Sequence, residues 1–116
     1  SAAIVNNTAF DLEPYIIYAA HCNGGSSTVY FNYQATSCSG NNPGNYNTMS
    51  GTQTLAVGNF NNNDYALIKL NNDIPSSYDA YYAGWNRSTS SPGNNVVGIH
   101  HADGDIKKIS YDAYGM

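Results

Sequence analysis

An all-β fold is what this sequence predicts, and three observations predict it. No apolar pattern persists at helical spacing long enough to make an amphipathic helix. Short runs rich in aromatic and β-branched residues alternate with clusters of Asn, Gly, Ser and Pro. Hydrophobic residues make up 41% and aromatic residues 13% of the chain, so there is apolar surface to bury although only 10% of residues are charged.

Taken in order, the first strand is expected at 2–5, where Ala-Ala-Ile-Val runs into the turn signal Asn6-Asn7. A second follows Pro14 at 15–19, and a third covers 28–33 after Asn23-Gly24-Gly25. Thr28-Val29-Tyr30-Phe31-Asn32-Tyr33 has almost no polar alternation, which predicts burial on both faces. The stretch 34–50 reads as the longest loop. Further strands are expected at 52–57 and 65–70, separated by Asn59 to Asn63, and at 81–85, 96–100 and 106–110. Asp103-Gly104 is placed to turn a hairpin between the last two, because Gly tolerates positive φ. Trp85 and the tyrosines read as core and strand-seam residues rather than a ligand platform. Short strands spaced by regular turns predict a barrel or a sandwich.

Charge excludes some partners. The only cations are Lys69, Arg87, Lys107 and Lys108, and the net charge is −4. Nothing here neutralises a row of phosphates, so no nucleic-acid partner is expected. No apolar run approaches the roughly 20 residues that span a bilayer, so no membrane partner is expected either. The N-terminus has no basic region followed by an apolar stretch, and Ser1 does not read as a native start. Two cysteines, Cys22 and Cys38, are compatible with one disulfide in a secreted protein or with two thiols in a reducing compartment.

The chemistry-bearing segment is Pro14-Tyr15-Ile16-Ile17-Tyr18-Ala19-Ala20-His21-Cys22, an apolar strand that ends in two small residues and a histidine. Downstream, Asp64 stands immediately before the apolar run Tyr65-Ala66-Leu67-Ile68-Lys69-Leu70. A strand ending in Ala-x-His-Cys, followed by Asp-x-x-Leu, resembles the His and Asp motifs of trypsin-like serine proteases, whose chain order is His, Asp, Ser. Ile4-Val5-Asn6-Asn7-Thr8, Val29-Tyr30-Phe31-Asn32-Tyr33-Gln34, Ala83-Gly84-Trp85, Gly98-Ile99-His100-His101 and Lys107-Lys108-Ile109-Ser110 stand in the order found in bacterial lysyl-endopeptidase-like proteases. Each motif alone is weak; together, in order and across nearly the whole chain, they are specific. The family usually has Pro after the His pair, where this chain has Ala102.

The resemblance implies a chymotrypsin-like architecture. Residues 1–78 would form most of an N-terminal antiparallel β-barrel, and 79–116 the first strands of a second, incomplete one. It assigns His21 as the general base that takes a proton from a serine, and Asp64 as the carboxylate that orients the imidazole. It implies a polypeptide substrate, possible cleavage after lysine, secretion and no cofactor. His21 could instead be an ordinary loop histidine, and Asp64 a turn residue. His100-His101 invites a metal reading, but neighbours on a strand point to opposite faces, so no metal is expected.

The family's serine sits in a Gly-x-Ser-Gly-like segment. Ser76, Ser77, Ser88, Ser90, Ser91 and Ser110 lack that context, and Gly24-Gly25-Ser26 precedes Asp64. The expectation is therefore an inactive fragment whose partner is the missing C-terminal half of the same protease. In similar proteases the counterparts of Cys22 and Cys38 pair with cysteines further upstream, which implies that these two do not pair together; a simple bridge between them is the alternative. The rival function is a non-catalytic, protease-like binding or scaffold module.

Overall fold

The computed structural model describes residues 1–22, 28–90 and 93–114. The expected turn at Asn23-Gly24-Gly25, Ser26, and the expected turn residue Pro92 lie outside the described residues. The chain is all-β, with eight strands among the described residues and only short 3-10 turns besides. In order the strands are β1 (Ala2–Val5), β2 (Tyr15–Tyr18), β3 (Thr28–Phe31), β4 (Asn47–Ser50), β5 (Thr52–Val57), β6 (Ala66–Leu70), β7 (Val96–His100) and β8 (Lys108–Asp112).

Every strand pairing is antiparallel. A four-stranded sheet has the order β1-β2-β6-β5, while β3-β4 and β7-β8 are two-stranded ribbons. β6 shows why the large sheet holds together. Ala66, Ile68 and Leu70 are buried while Leu67 and Lys69 are not fully so, the period of two expected of a half-covered strand. Opposite it, Ile16 pairs with Ile68. Ile16, Ile68 and Leu70 join Phe31 of β3 in one core, with Ile4, Val29, Met49, Ile74 and Tyr78 packed around it. The β3-β4 ribbon thus closes over one face of the large sheet. An extra residue at Leu55 breaks the β5-β6 register, a bulge that adds local twist.

The sheets do not close into a barrel among the described residues. Other expectations also need correction. The 34–50 loop contains β4, whose Asn47-Thr48-Met49-Ser50 is too polar to read as a strand alone; pairing with β3 organises it. β3 is not buried on both faces, since a two-stranded ribbon has one covered side and Tyr30 is turned to solvent. Segment 81–85 makes only an isolated parallel bridge, Val5 to Ala83, with the Ala83 amide donating to the Ile4 carbonyl at 2.8 Å. Trp85 is 56% exposed rather than core, its indole N–H donating to the Asn6 carbonyl at 2.8 Å. Tyr81, Tyr111 and Tyr114 are also exposed.

The β7-β8 ribbon stands largely apart. Asp103 and Gly104 both take positive φ in its turn, as Gly allows and Asp tolerates. The strand after it begins at Lys108 because Ile106 is instead buried and the Lys107 amide donates to the Tyr33 carbonyl at 3.0 Å. Register puts Val97 opposite Tyr111 and Ile99 opposite Ile109, so these four share one face, and all four are exposed. A cleft of about 860 Å³ separates this region from the large sheet, with Ile4, Ile16, Val29, Phe31, Ile99 and His101 in its walls.

The packing predicts a sharp contrast in urea denaturation. Ile68→Ala removes a fully covered core side chain and should cost about 2–5 kcal/mol. Ile99→Ala on the open ribbon face should stay within about 0.5 kcal/mol of the wild type.

Candidate active site

Strand pairing brings the two sequence-predicted site residues together. β2 and β6 are antiparallel neighbours in which Tyr18 faces Ala66. The end of β2 therefore lies beside the start of β6. Past Tyr18 the chain makes a 3-10 turn over Ala20–Cys22, closed by the Cys22 amide donating to the Ala19 carbonyl at 2.9 Å, and this turn carries His21. Just before β6 stands Asp64.

The imidazole Nδ1 of His21 lies 2.6 Å from Asp64 Oδ2, and the His21 amide donates to Asp64 Oδ1 at 3.0 Å. One carboxylate thus holds both the ring and the main chain of the same residue. The site is open: the side chains of His21 and Asp64 are 55% and 32% exposed. The hydrogen bond from the His21 ring, chiefly, with the amides of His21 and Ala20 adding to it, holds the Asp64 carboxyl below its ordinary value of 3.8; partial desolvation acts the other way. Asp64 is therefore ionised at neutral pH, and Nδ1 carries the proton between the two. Nε2, the other ring nitrogen, is directed away from Asp64.

The loop before Asp64 is built by Asn59. Its side-chain Oδ1 accepts from the Asn61 amide at 2.9 Å, and its carbonyl accepts from the amides of Asn62 and Asn63 at 3.0 and 2.8 Å. Gly58 donates to the Tyr65 carbonyl at 2.7 Å to close the base of this loop. A Cβ at position 58 would stand 2.0 Å from the Asn63 carbonyl oxygen and 2.7 Å from the Tyr65 ring. The tip of the loop, Phe60, packs edge-on against the His21 imidazole, with centroids 5.8 Å apart and planes at 78°. The sequence announces this stretch as a turn, without a role for Gly58 or Phe60. A glycine immediately before an Asn-rich turn was the available signal for the first; no local pattern announced the second.

Other candidates lie elsewhere. His101 Nδ1 is 3.0 Å from the Asp105 carbonyl oxygen, and its ring packs on Tyr33 at 6.1 Å. Among the described residues no three His, Cys, Asp or Glu side chains converge on a metal position. Cys22 and Cys38 are both exposed free thiols. Among the described residues no serine hydroxyl hydrogen-bonds the His21 ring, whose polar partner is Asp64.

Two outcomes follow for the pair and its loop. Because a depressed carboxylate stabilises the fold above its unfolded pKa and loses that contribution as pH falls through its folded one, the urea midpoint of the wild type should exceed that of Asp64→Asn above pH 3.8, and the two curves should converge well below it. Gly58→Ala should destabilise by about 1–3 kcal/mol and shift the backbone amide resonances of both His21 and Asp64, since main-chain atoms must move to admit the methyl.

Over residues 1–115 the sequence matches the family described as lysyl endopeptidase, C-terminal domain. With a match of that extent, and an all-β antiparallel fold consistent with it, this chain belongs to the lysyl endopeptidase C-terminal domain family and is a protease-related domain.

Proposed function

We propose that this chain supplies the base and the orienting acid of a secreted, trypsin-like serine endopeptidase that cleaves polypeptides after lysine. The 2.6 Å bond between His21 Nδ1 and Asp64 Oδ2 carries the reading. Membership of the lysyl endopeptidase family supports it. In this reading the catalytic unit is itself the C-terminal part of the parent. Residues 1–78 contribute its first barrel and 79–116 the opening strands of its second. A further segment of the same protease completes both barrels and brings the serine, the oxyanion hole and the lysine pocket. The exposed face of Val97, Ile99, Ile109 and Tyr111 is where such a segment would gain most by packing.

The chemistry follows from the proton positions. Nε2 takes the proton of the serine hydroxyl as its oxygen attacks the scissile carbonyl, and the imidazolium so formed is stabilised by ionised Asp64. The same nitrogen then protonates the leaving amine, and in the second half-reaction takes a proton from water as its oxygen attacks the acyl carbonyl and returns that proton to the serine oxygen as the acyl bond breaks. By itself the chain has the base without a nucleophile and does not hydrolyse peptides. A few lysines and many Asn, Ser and Thr residues on an exposed surface fit an extracellular enzyme.

Two measurements test the proposal. A serine-directed phosphonate should leave the purified chain unlabelled and should label the complete protease; stoichiometric labelling of the chain alone contradicts the assignment. In the complete protease, His21→Ala and Asp64→Asn should each lower kcat toward lysyl substrates by about 10³–10⁴-fold or more, and near-normal turnover in either would end the triad reading.

A further inference from the structure

The carboxylate and the imidazole of the pair are not held equally. Asp64 Oδ1 is anchored to the His21 amide at 3.0 Å, a contact that does not depend on the ring. Among the described residues the ring's hydrogen bond is the one from Nδ1 to Oδ2, and more than half of the side chain faces solvent. The bond to Oδ2 alone does not hold a ring that can turn about Cβ–Cγ with the same nitrogen facing the carboxylate for all of the time. The second restraint on the ring is Phe60. It is 63% exposed and lies outside the core, and its ring contact among the described residues is the His21 imidazole. The turn that presents it is cross-bonded through Asn59 and closed over Gly58.

We propose that Phe60 is a positioning residue for His21: its ring, edge-on to the imidazole at 5.8 Å, keeps Nδ1 turned toward Asp64 and shields that hydrogen bond from water. The proposal rests on the reading of His21 and Asp64 as a base and its orienting acid, and adds a third group that acts through the first. One loop then serves both partners, with Asp64 at its end and Phe60 at its tip. Aromatic contacts of this geometry correspond to about a two- to tenfold bias in population.

The test reads the ring itself, in the full chain labelled with ¹⁵N. Proton–nitrogen correlations of the His21 ring give the fraction protonated at Nδ1, and the exchange rate of that proton with water reports its shielding. Phe60→Leu should raise the exchange rate about two- to tenfold, and Phe60→Tyr should restore the wild-type rate. The His21 amide shift should stay in place in both, because its bond to Oδ1 does not involve the ring. Unchanged exchange in Phe60→Leu, failure of Phe60→Tyr to restore it, or no observable Nδ1 proton in the wild type overturns the proposal. Asp64→Asn separates the two layers: it should abolish the protection outright. If it changes nothing, the pairing of His21 with Asp64 fails irrespective of Phe60. If it abolishes protection while Phe60→Leu does not alter it, the pairing stands and the positioning role falls. Methyl resonances of Ile16 and Leu70 show that the core of each variant is intact.

Discussion

The register between β2 and β6 is the constraint on which the candidate site depends. With Tyr18 set opposite Ala66, the residues just beyond one strand and just before the other emerge at the same end of the sheet. A slip of one position between them would put Ile16 on the opposite face from Ile68 and Leu70, since side chains alternate along a strand. Burial of those three side chains therefore fixes where an imidazole and a carboxylate separated by 43 positions in sequence come together. The polar contact is a product of apolar packing, and the site inherits its precision from the core. The ion pair between Lys69 and Glu13 marks the other end of the same pairing, where Lys69 faces Tyr15.

What could be read in the sequence was what local pattern specifies. β1, β2, β5, β6 and β7 stand where clusters of Ile, Val, Leu and Tyr announce strands, to within a residue. His21 and Asp64 were singled out because each interrupts or precedes such a run in a recognisable context. Features that depend on distant partners were not legible. Asn47–Ser50 becomes a strand only because β3 offers its hydrogen bonds. Segment 81–85 has the composition of a strand, yet it meets β1 at one bridge and sends the Trp85 indole to the Asn6 carbonyl, so Tyr81 and Trp85 remain at the surface. Burial of β3 was overestimated because an apolar run cannot say how many faces its neighbours will cover. The hydrophobicity of Ile106 suggests a strand residue, yet the side chain is buried and β8 starts only at Lys108.

The distribution of exposed apolar surface distinguishes the two ends of the molecule. Up to Leu70 the strands share a core, with the β3-β4 ribbon closing over the large sheet. Beyond Ala80, which with Ile74 and Tyr78 still packs on that core, the described residues are joined to it chiefly by polar contacts, such as Lys107 to Tyr33 and the His101 amide to the Ser1 hydroxyl at 3.2 Å, with Ile106 the buried exception. Free energy gained by burying area is concentrated in the first region, and local opening is expected to be concentrated in the second. The site lies in the first, on the edge of the well-packed part.

The double grip of Asp64 bears on how such a site decays over evolutionary time. Half of the carboxylate's role is to hold the main chain of the residue at position 21, whatever side chain that residue bears. A descendant that discarded the imidazole would still need the acid to keep its turn in shape. Selection for folding alone would then preserve the aspartate after the base had gone, and a retained acid facing a vanished histidine would record a lineage that had given up turnover while keeping its architecture.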